Sequence, residues 1–242
     1  MSKNLYMMVQ IFASLLHLDL ANLLQEVRCL EEIGIDGIHV DIMDGIFVPS
    51  IAFGPLMIKT IRRHTKLPIH CHMMISRPHK YAIDFVEADA DLIIFHVEST
   101  SNADQLAREI RSYGKGVGAA LNPATHESTL EYLYNIVDQV LVMTTNPGVP
   151  IQKFQNEYIR KIDNINTAMQ SYHCVELGVY GDIKAINIAD VVQAGAHHVV
   201  VGNALLHGTN GLSGTHRQQI MKNNLDEMKA KVAEITDSDC QS

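Results

Sequence analysis

Short apolar runs alternate with amphipathic stretches along almost the whole chain, and this alternation predicts a repeated strand-then-helix unit. Residues 9–14 read as a first strand. Behind a capping Asp19, Leu20, Leu23, Leu24, Val27, Leu30 and Ile33 recur at helical spacing. A strand around His39 follows, and Leu56, Ile58 and Ile61 mark a helix over 55–63. Strands are then predicted over 68–74, 91–97, 116–121, 137–143, 174–179 and 199–201. Helices are predicted over 79–87, 103–113, 127–134, 157–169, 184–193 and 218–235, with 236–242 as a frayed tail. Three segments, Ile33-Gly34-Ile35-Asp36-Gly37-Ile38, Ala88-Asp89-Ala90-Asp91-Leu92-Ile93 and Ala194-Gly195-Ala196-His197-His198-Val199, each join a helix end to a buried strand. Eight such units predict an α/β fold in which a parallel sheet closes into a single (β/α)8 TIM barrel over 1–242. The alternative is an open doubly wound sheet. It lacks the GxGxxG that would follow its first strand.

Composition narrows the partners. The chain has 242 residues, is 47% hydrophobic, and can bury a full core. A net charge of −8 leaves no basic footprint, which argues against nucleic acid and anionic membranes. Cys29, Cys71, Cys174 and Cys240 are scattered without CxxC spacing, as reduced thiols in the cytoplasm would be. Residues 1–8 are short and polar at their start, and no apolar run reaches the length of a membrane span.

Chemistry concentrates in His39-Val40-Asp41-Ile42-Met43-Asp44-Gly45. Side chains alternate across a strand, so His39, Asp41 and Met43 share one face. An imidazole and a carboxylate on a buried face need their charge balanced, and a divalent metal would balance it. Taken alone, a His-x-Asp pair reads more readily as a hydrogen-bonded structural pair. His70-Cys71-His72 repeats the arrangement on the next strand and favours a metal. In a barrel, Ser14, His39, Asp41, His70, His72, His96, Glu98, Asn122, Thr144 and Asn146 all gather at the carboxyl ends of strands. Thr144 and Glu98 read as ordinary loop or cap residues.

Several pieces together resemble the ribulose-phosphate 3-epimerase family of ketose-phosphate 3-epimerases, which are phosphate-binding (β/α)8 barrels. They are the run from His39 to Pro49, Phe53-Gly54-Pro55, His72-Met73-Met74, His96-Val97-Glu98, Leu121-Asn122-Pro123-Ala124-Thr125, Asn146-Pro147-Gly148 and Gly202, and the likeness runs from about residue 11 to 206. The resemblance implies inversion at C3 of a 2-keto sugar phosphate, ribulose 5-phosphate to xylulose 5-phosphate or a related pair, through an enediolate. It implies one divalent metal held by two His and two Asp. His39, Asp41 and His72 match three of these ligands, and Asp41 also matches an acid/base. Zinc, iron, manganese and cobalt all suit such a set. Ser14 matches a substrate contact, and Met43 and Met74 match a sulfur-lined floor. A small-molecule sugar phosphate partner, a homo-oligomer and a place in the pentose phosphate pathway are expected on the same basis.

Two departures fall on the reacting side. The family's Asp-Gly-Gly after the seventh strand aligns with Tyr180-Gly181-Asp182, so the second catalytic carboxylate, also a ligand, becomes Tyr180. A phenol can donate a proton but is a poor base at pH 7. In the substrate-binding stretch, Gly148 is followed by Pro150, which offers no N–H to a phosphate, and Asp182 stands where a glycine is usual. Gly202-Asn203 replaces Gly-Ser, a mild change. Asp182 and His70 are conceivable substitutes for the missing carboxylate, against their plainer readings as a loop acid and a core histidine. The epimerase reading therefore stands beside a one-base isomerase or lyase and a catalytically silent metal- or ligand-binding relative.

Overall fold

A computed structural model describes residues 9–172 and 174–239. Its parallel strands are β1 (Gln10–Ser14), β2 (Gly37–Asp44), β4 (Ile69–Met74), β5 (Leu92–His96), β6 (Gly116–Leu121), β7 (Gln139–Met143), β8 (Glu176–Tyr180) and β9 (His198–Val201). They run in the order β1-β9-β8-β7-β6-β5-β4-β2, and β1 pairs back onto β2, which closes an eight-stranded barrel. A two-residue β3 (Ile51–Ala52), not expected from the pattern, folds back antiparallel on the end of β2. Around the barrel lie α1 (Leu23–Ile33), α2 (Pro55–Arg62), α3 (Ala82–Glu87), α4 (Ala103–Ser112), α5 (Glu157–Met169), α6 (Ile188–Gln193) and α7 (Gly214–Asp239). No helix among the described residues is long and apolar enough to cross a membrane.

Five helix expectations change. The helices expected over 79–87 and 184–193 begin only at Ala82 and Ile188, behind a 3-10 turn and a loop with turns. The stretch expected as a helix over 127–134 forms only a 3-10 turn, Glu127–Leu130, and further turns. Ser128, Thr129, Tyr132, Tyr134 and Asn135 are weak helix formers, and its backbone bonds close mostly over three residues. Asp19 caps a 3-10 turn, Leu20–Asn22, rather than α1 itself. The last helix begins earlier than expected and runs through Asp239, so residues 236–239 of the expected frayed tail are helical and 240–242 lie outside the described residues.

Period-two patterning separates two cores. On β2, Ile38, Val40 and Ile42 face outward into the layer under the helices, with Val27, Leu30 and Ile58. Inside the barrel, Phe12, Leu92, Ile94, Leu141, Met143 and Val200 fill the centre. Strand starts are fixed by a repeated device. Asp36, Asp91 and Asp138 each precede a strand, and each carboxylate accepts the N–H of the strand before it, from Ile11, Ile69 and Val117 at 2.8, 2.8 and 2.9 Å. Before β9 the acceptor is His197 Nδ1, 3.0 Å from Leu177 N. These bonds bind the strands in pairs at the amino end, opposite the polar end.

Candidate active site and metal centre

Strand register brings the polar residues together. His39 pairs with His70, Asp41 with His72 and Met43 with Met74 across β2 and β4, while Ser14 of β1 lies beside His39. All face inward at the carboxyl end. His39, Asp41 and His72 are fully buried. His39 Nε2 lies 3.1 Å from His72 Nδ1 and 3.5 Å from Asp41 Oδ1, and His72 Nδ1 lies 3.3 Å from the same oxygen. These are the one group of three or more His, Cys, Asp or Glu among the described residues whose ligand atoms converge closely enough to hold a metal.

Hydrogen-bond partners set the tautomers. His72 Nε2 is 2.9 Å from His96 Nε2, and His96 Nδ1 is 3.3 Å from Glu98 Oε2. Glu98 accepts, so His96 donates from Nδ1 and accepts at Nε2, which makes His72 the donor there. The lone pair of His72 Nδ1 is thereby left facing Asp41 and His39. Burial pushes the His72 pKa down to about 3, against the pull of Asp41, so the imidazole is neutral at pH 7 and in its ligating form. Burial alone would raise the Asp41 carboxyl, yet the bond from His39 Nε2, with the neighbouring imidazoles, wins and holds it well below the usual carboxylate range. Glu98 shows the same balance, held at about 2 by His96, Thr125 and the Asn122 N–H despite its burial.

The residues fit a divalent ion. Ligand bonds of about 2.1 Å at tetrahedral or octahedral angles separate donor atoms by about 3.4 or 3.0 Å, the range seen in this triangle. One carboxylate oxygen and one imidazole lone pair converge there, and at most one N–H, on His39 Nε2, could lie between them. His39 Nδ1 is itself buried without a partner. A cation would satisfy all three atoms at once.

Tyr180 does not complete the triangle. Its hydroxyl lies 3.0 Å from Asp41 Oδ2 and 3.1 Å from Ser14 Oγ, and Ser14 Oγ donates to the same oxygen at 2.7 Å. Two hydroxyls thus hold the carboxylate oxygen that faces away from the imidazoles. Burial, then the Asp41 charge, pushes the phenol well above its ordinary pKa, so it remains a donor. The two conceivable substitutes are elsewhere. Asp182 is tied away, with Oδ1 2.7 Å from Lys184 Nζ and Oδ2 accepting from Phe154 N at 3.2 Å. His70 lies lower in the barrel, stacked on Phe12 at a 4.0 Å ring separation, and burial keeps it neutral.

A cavity of about 510 Å³ opens over this cluster. Asp41, Met43, Met74 and Tyr180 line its inner end, and Gly148, Gly181, Gly202 and Asn203 its outer end. Gly181 has φ +131°, and a Cβ there would fall 2.6 and 2.7 Å from the hydroxyls of Thr145 and Thr144, so no other residue fits. The backbone N–H groups of Gly181, Asp182, Gly202 and Asn203 have no acceptor among the described residues, although they border the cavity. Sequence reasoning gave Glu98 a bland role and passed over His17, which also lines the cavity. The one signal for Glu98 was its place two residues after an inward-facing histidine.

A family model described as the ribulose-phosphate 3-epimerase family matches residues 10–206. The chain belongs to this family. It is 38% identical to the ribulose-phosphate 3-epimerase of Synechocystis, over 87% of this chain and 91% of that protein. The ribulose-phosphate 3-epimerase of Escherichia coli is 30% identical over 92% of this chain and 96% of its own length. Among solved structures, a mutant tryptophan synthase alpha-subunit from Pyrococcus furiosus superposes with a TM-score of 0.65 at 16% identity, covering 91% of this chain and 97% of that one. That last likeness shows the barrel fold alone.

Proposed function

We propose that this chain is a metal-dependent ketose-phosphate 3-epimerase, acting on ribulose 5-phosphate and xylulose 5-phosphate or a closely related sugar phosphate. The buried triangle of His39, Asp41 and His72 at the floor of the cavity carries the reading, in a chain of this family. Those three residues would hold the ion. When bound, it acts as a Lewis acid that stabilises negative charge developing on the substrate's oxygens.

The chain's own residues supply the rest. Asp41 is ionised and is the base that removes a proton from C3, leaving the electron pair in the enediolate. Ser14 and Tyr180 fix its orientation by donating to Oδ2. Met43 and Met74, packed with Val48, give an apolar floor that keeps bulk water from the enediolate. The free N–H groups at Gly181, Asp182, Gly202 and Asn203 are suited to the phosphate, since Asp182 has its carboxylate turned to Lys184 and Phe154. The same reading takes the chain as one barrel domain of cytoplasmic carbohydrate metabolism.

A one-base isomerase or lyase is favoured by one observation, the protonated phenol of Tyr180 where the family has a second carboxylate. The discriminating experiment loads the protein with divalent metal and incubates it in D2O with ribulose 5-phosphate. Deuterium at C3 and xylulose 5-phosphate are followed by NMR, with Asp41→Asn as control. Exchange with inversion, lost in the control, is the expected result. Exchange without inversion supports one-base chemistry, and no exchange with metal bound removes both enzyme readings for this substrate.

A further inference from the structure

Thr144, the residue after β7, is buried and takes no part in lining the cavity, yet it holds the backbone that does. Its N–H donates to the Tyr180 carbonyl at 2.9 Å. Its Oγ1 lies 2.5 Å from the Gly181 carbonyl oxygen and 3.2 Å from that of Tyr180. A hydroxyl has one hydrogen to give, and the shorter distance assigns it to Gly181. On the next peptide, Nδ2 of the buried Asn187 donates to the Asp182 carbonyl at 3.1 Å. The carbonyls of Tyr180, Gly181 and Asp182 are thus each held by a donor that lies away from the cavity.

Across a trans peptide the C=O and the N–H point to opposite sides, and no described peptide is cis. With its carbonyls turned to Thr144 and Asn187, this turn directs the N–H groups of Gly181, Asp182 and Ile183 the other way. All three residues line the cavity, and none of these N–H groups has an acceptor among the described residues. Successive free N–H groups of this kind suit an anion. The loop after β7 offers fewer donors, since Pro150 has no N–H and that of Val149 is turned to the Asn146 carbonyl at 3.4 Å. A phosphate in the cavity therefore relies more on the turn after β8.

We propose that the Thr144 hydroxyl is a positioning group for the substrate's phosphate, locking the peptide between Gly181 and Asp182 with its N–H towards the cavity; the assignment rests on the sugar-phosphate reading. That peptide is poised to turn over. Asp182 has φ +50°, a left-handed conformation that an L residue adopts at a cost. Rotating this one peptide by half a turn takes Asp182 to negative φ, and Gly181, without a side chain, accommodates the change. Among the described residues the Gly181 carbonyl has no donor other than Thr144, so the hydroxyl is what opposes the rotation. A rotated peptide presents a carbonyl oxygen to the cavity in place of an N–H, and its partial negative charge repels a phosphate.

The test compares zinc-loaded wild type, Thr144→Val and Thr144→Ser. Valine keeps the shape of threonine without the hydroxyl, and serine keeps the hydroxyl without the methyl. Inorganic phosphate is titrated while the amide signals of Gly181 and Asp182 are followed by NMR, and KM and kcat are measured with ribulose 5-phosphate. The sign of φ at Asp182 is read from its HN–Hα coupling. In Thr144→Val, phosphate is expected to bind about 10-fold more weakly, with a matching rise in KM and little change in kcat, because one charge-assisted bond is exchanged for a repulsive contact. Asp182 should then show negative φ. Wild type and Thr144→Ser should both show positive φ and bind phosphate within about 3-fold of each other. Negative φ in the wild type, equal phosphate binding in Thr144→Val, or an equal loss in Thr144→Ser overturns the assignment and leaves Thr144 a packing residue. A wild type whose Gly181 and Asp182 signals do not respond to phosphate overturns the phosphate reading of this cavity, and the assignment with it.

Discussion

At the scale of single residues, the site depends on how each ligand's second atom is held. His72 can offer its Nδ1 lone pair to a metal because His96 and Glu98 fix its tautomer. Glu98→Gln keeps the shape but replaces an anionic acceptor with a neutral one. Metal affinity is expected to fall about 10- to 100-fold, read by competition with a chelator. The same carboxylate sets an acid limb. Its pKa is about 2 in the fold and near the ordinary glutamate value of 4.5 when unfolded, so its contribution is complete above 4.5 and is lost as pH falls towards 2. Urea midpoints of wild type and Glu98→Gln should therefore converge across that window, and parallel curves would show that Glu98 is not the titrating group. That Tyr180 ends its strand facing the cluster was legible from the sequence, because Ile183, Lys184 and Asn187 set the register of the stretch that follows. His17 was not. Nothing in Leu15-Leu16-His17 tells that the ring turns inward, since that depends on Gly202, 185 positions away, having no side chain.

At the scale of elements, short apolar runs revealed the strands well because each barrel strand is buried on both faces and bounded by turn residues. The inward set on β2 and β4 was readable because side chains alternate between the two faces of a strand. The turn at Glu127–Leu130 was less so. Leu130, Leu133 and Tyr134 are buried as a helical stripe would be, but burial alone does not close an α-helix through weak helix formers. The carboxylates ahead of the strands explain the echoed segments: each small-residue stop is followed by an acceptor for a neighbouring strand's N–H. Asp138→Ala removes one such acceptor, from Val117 N, along with the Arg111 pair. A loss of about 1 to 2 kcal/mol is expected in urea unfolding, with metal affinity unchanged because this end of the barrel lies away from the cavity. Ile42→Ala, on the outward face of β2 next to Asp41, should cost about 2 to 5 kcal/mol and likewise spare the metal. A collapse of metal binding in Asp138→Ala would show that the two ends of the barrel are not independent, and one in Ile42→Ala would show that the outer layer positions Asp41.

For the molecule as a whole, a metal held as proposed would link binding to stability, because His39, Asp41 and His72 converge only when β2 and β4 are in register. An ion that binds the folded chain at 100 times its dissociation constant adds about 2.7 kcal/mol. For a chain of this length that corresponds to a rise in Tm of about 5 to 10 °C. His72→Ala should abolish the shift. Tyr180→Phe tests whether the phenol is a ligand or only a hydrogen-bond donor to Asp41. The phenol touches Asp41 at Oδ2, whereas the triangle uses Oδ1. Its removal is expected to lower the stability of the metal-free protein, since a buried bond to a carboxylate is worth about 1.5 to 3 kcal/mol. The metal-induced shift should nevertheless persist. Calorimetric scans of wild type, Tyr180→Phe and His72→Ala with and without the ion decide the matter: loss of the shift in the phenylalanine variant would make Tyr180 a ligand, and its survival would leave a three-residue metal centre with a fixed carboxylate beside it.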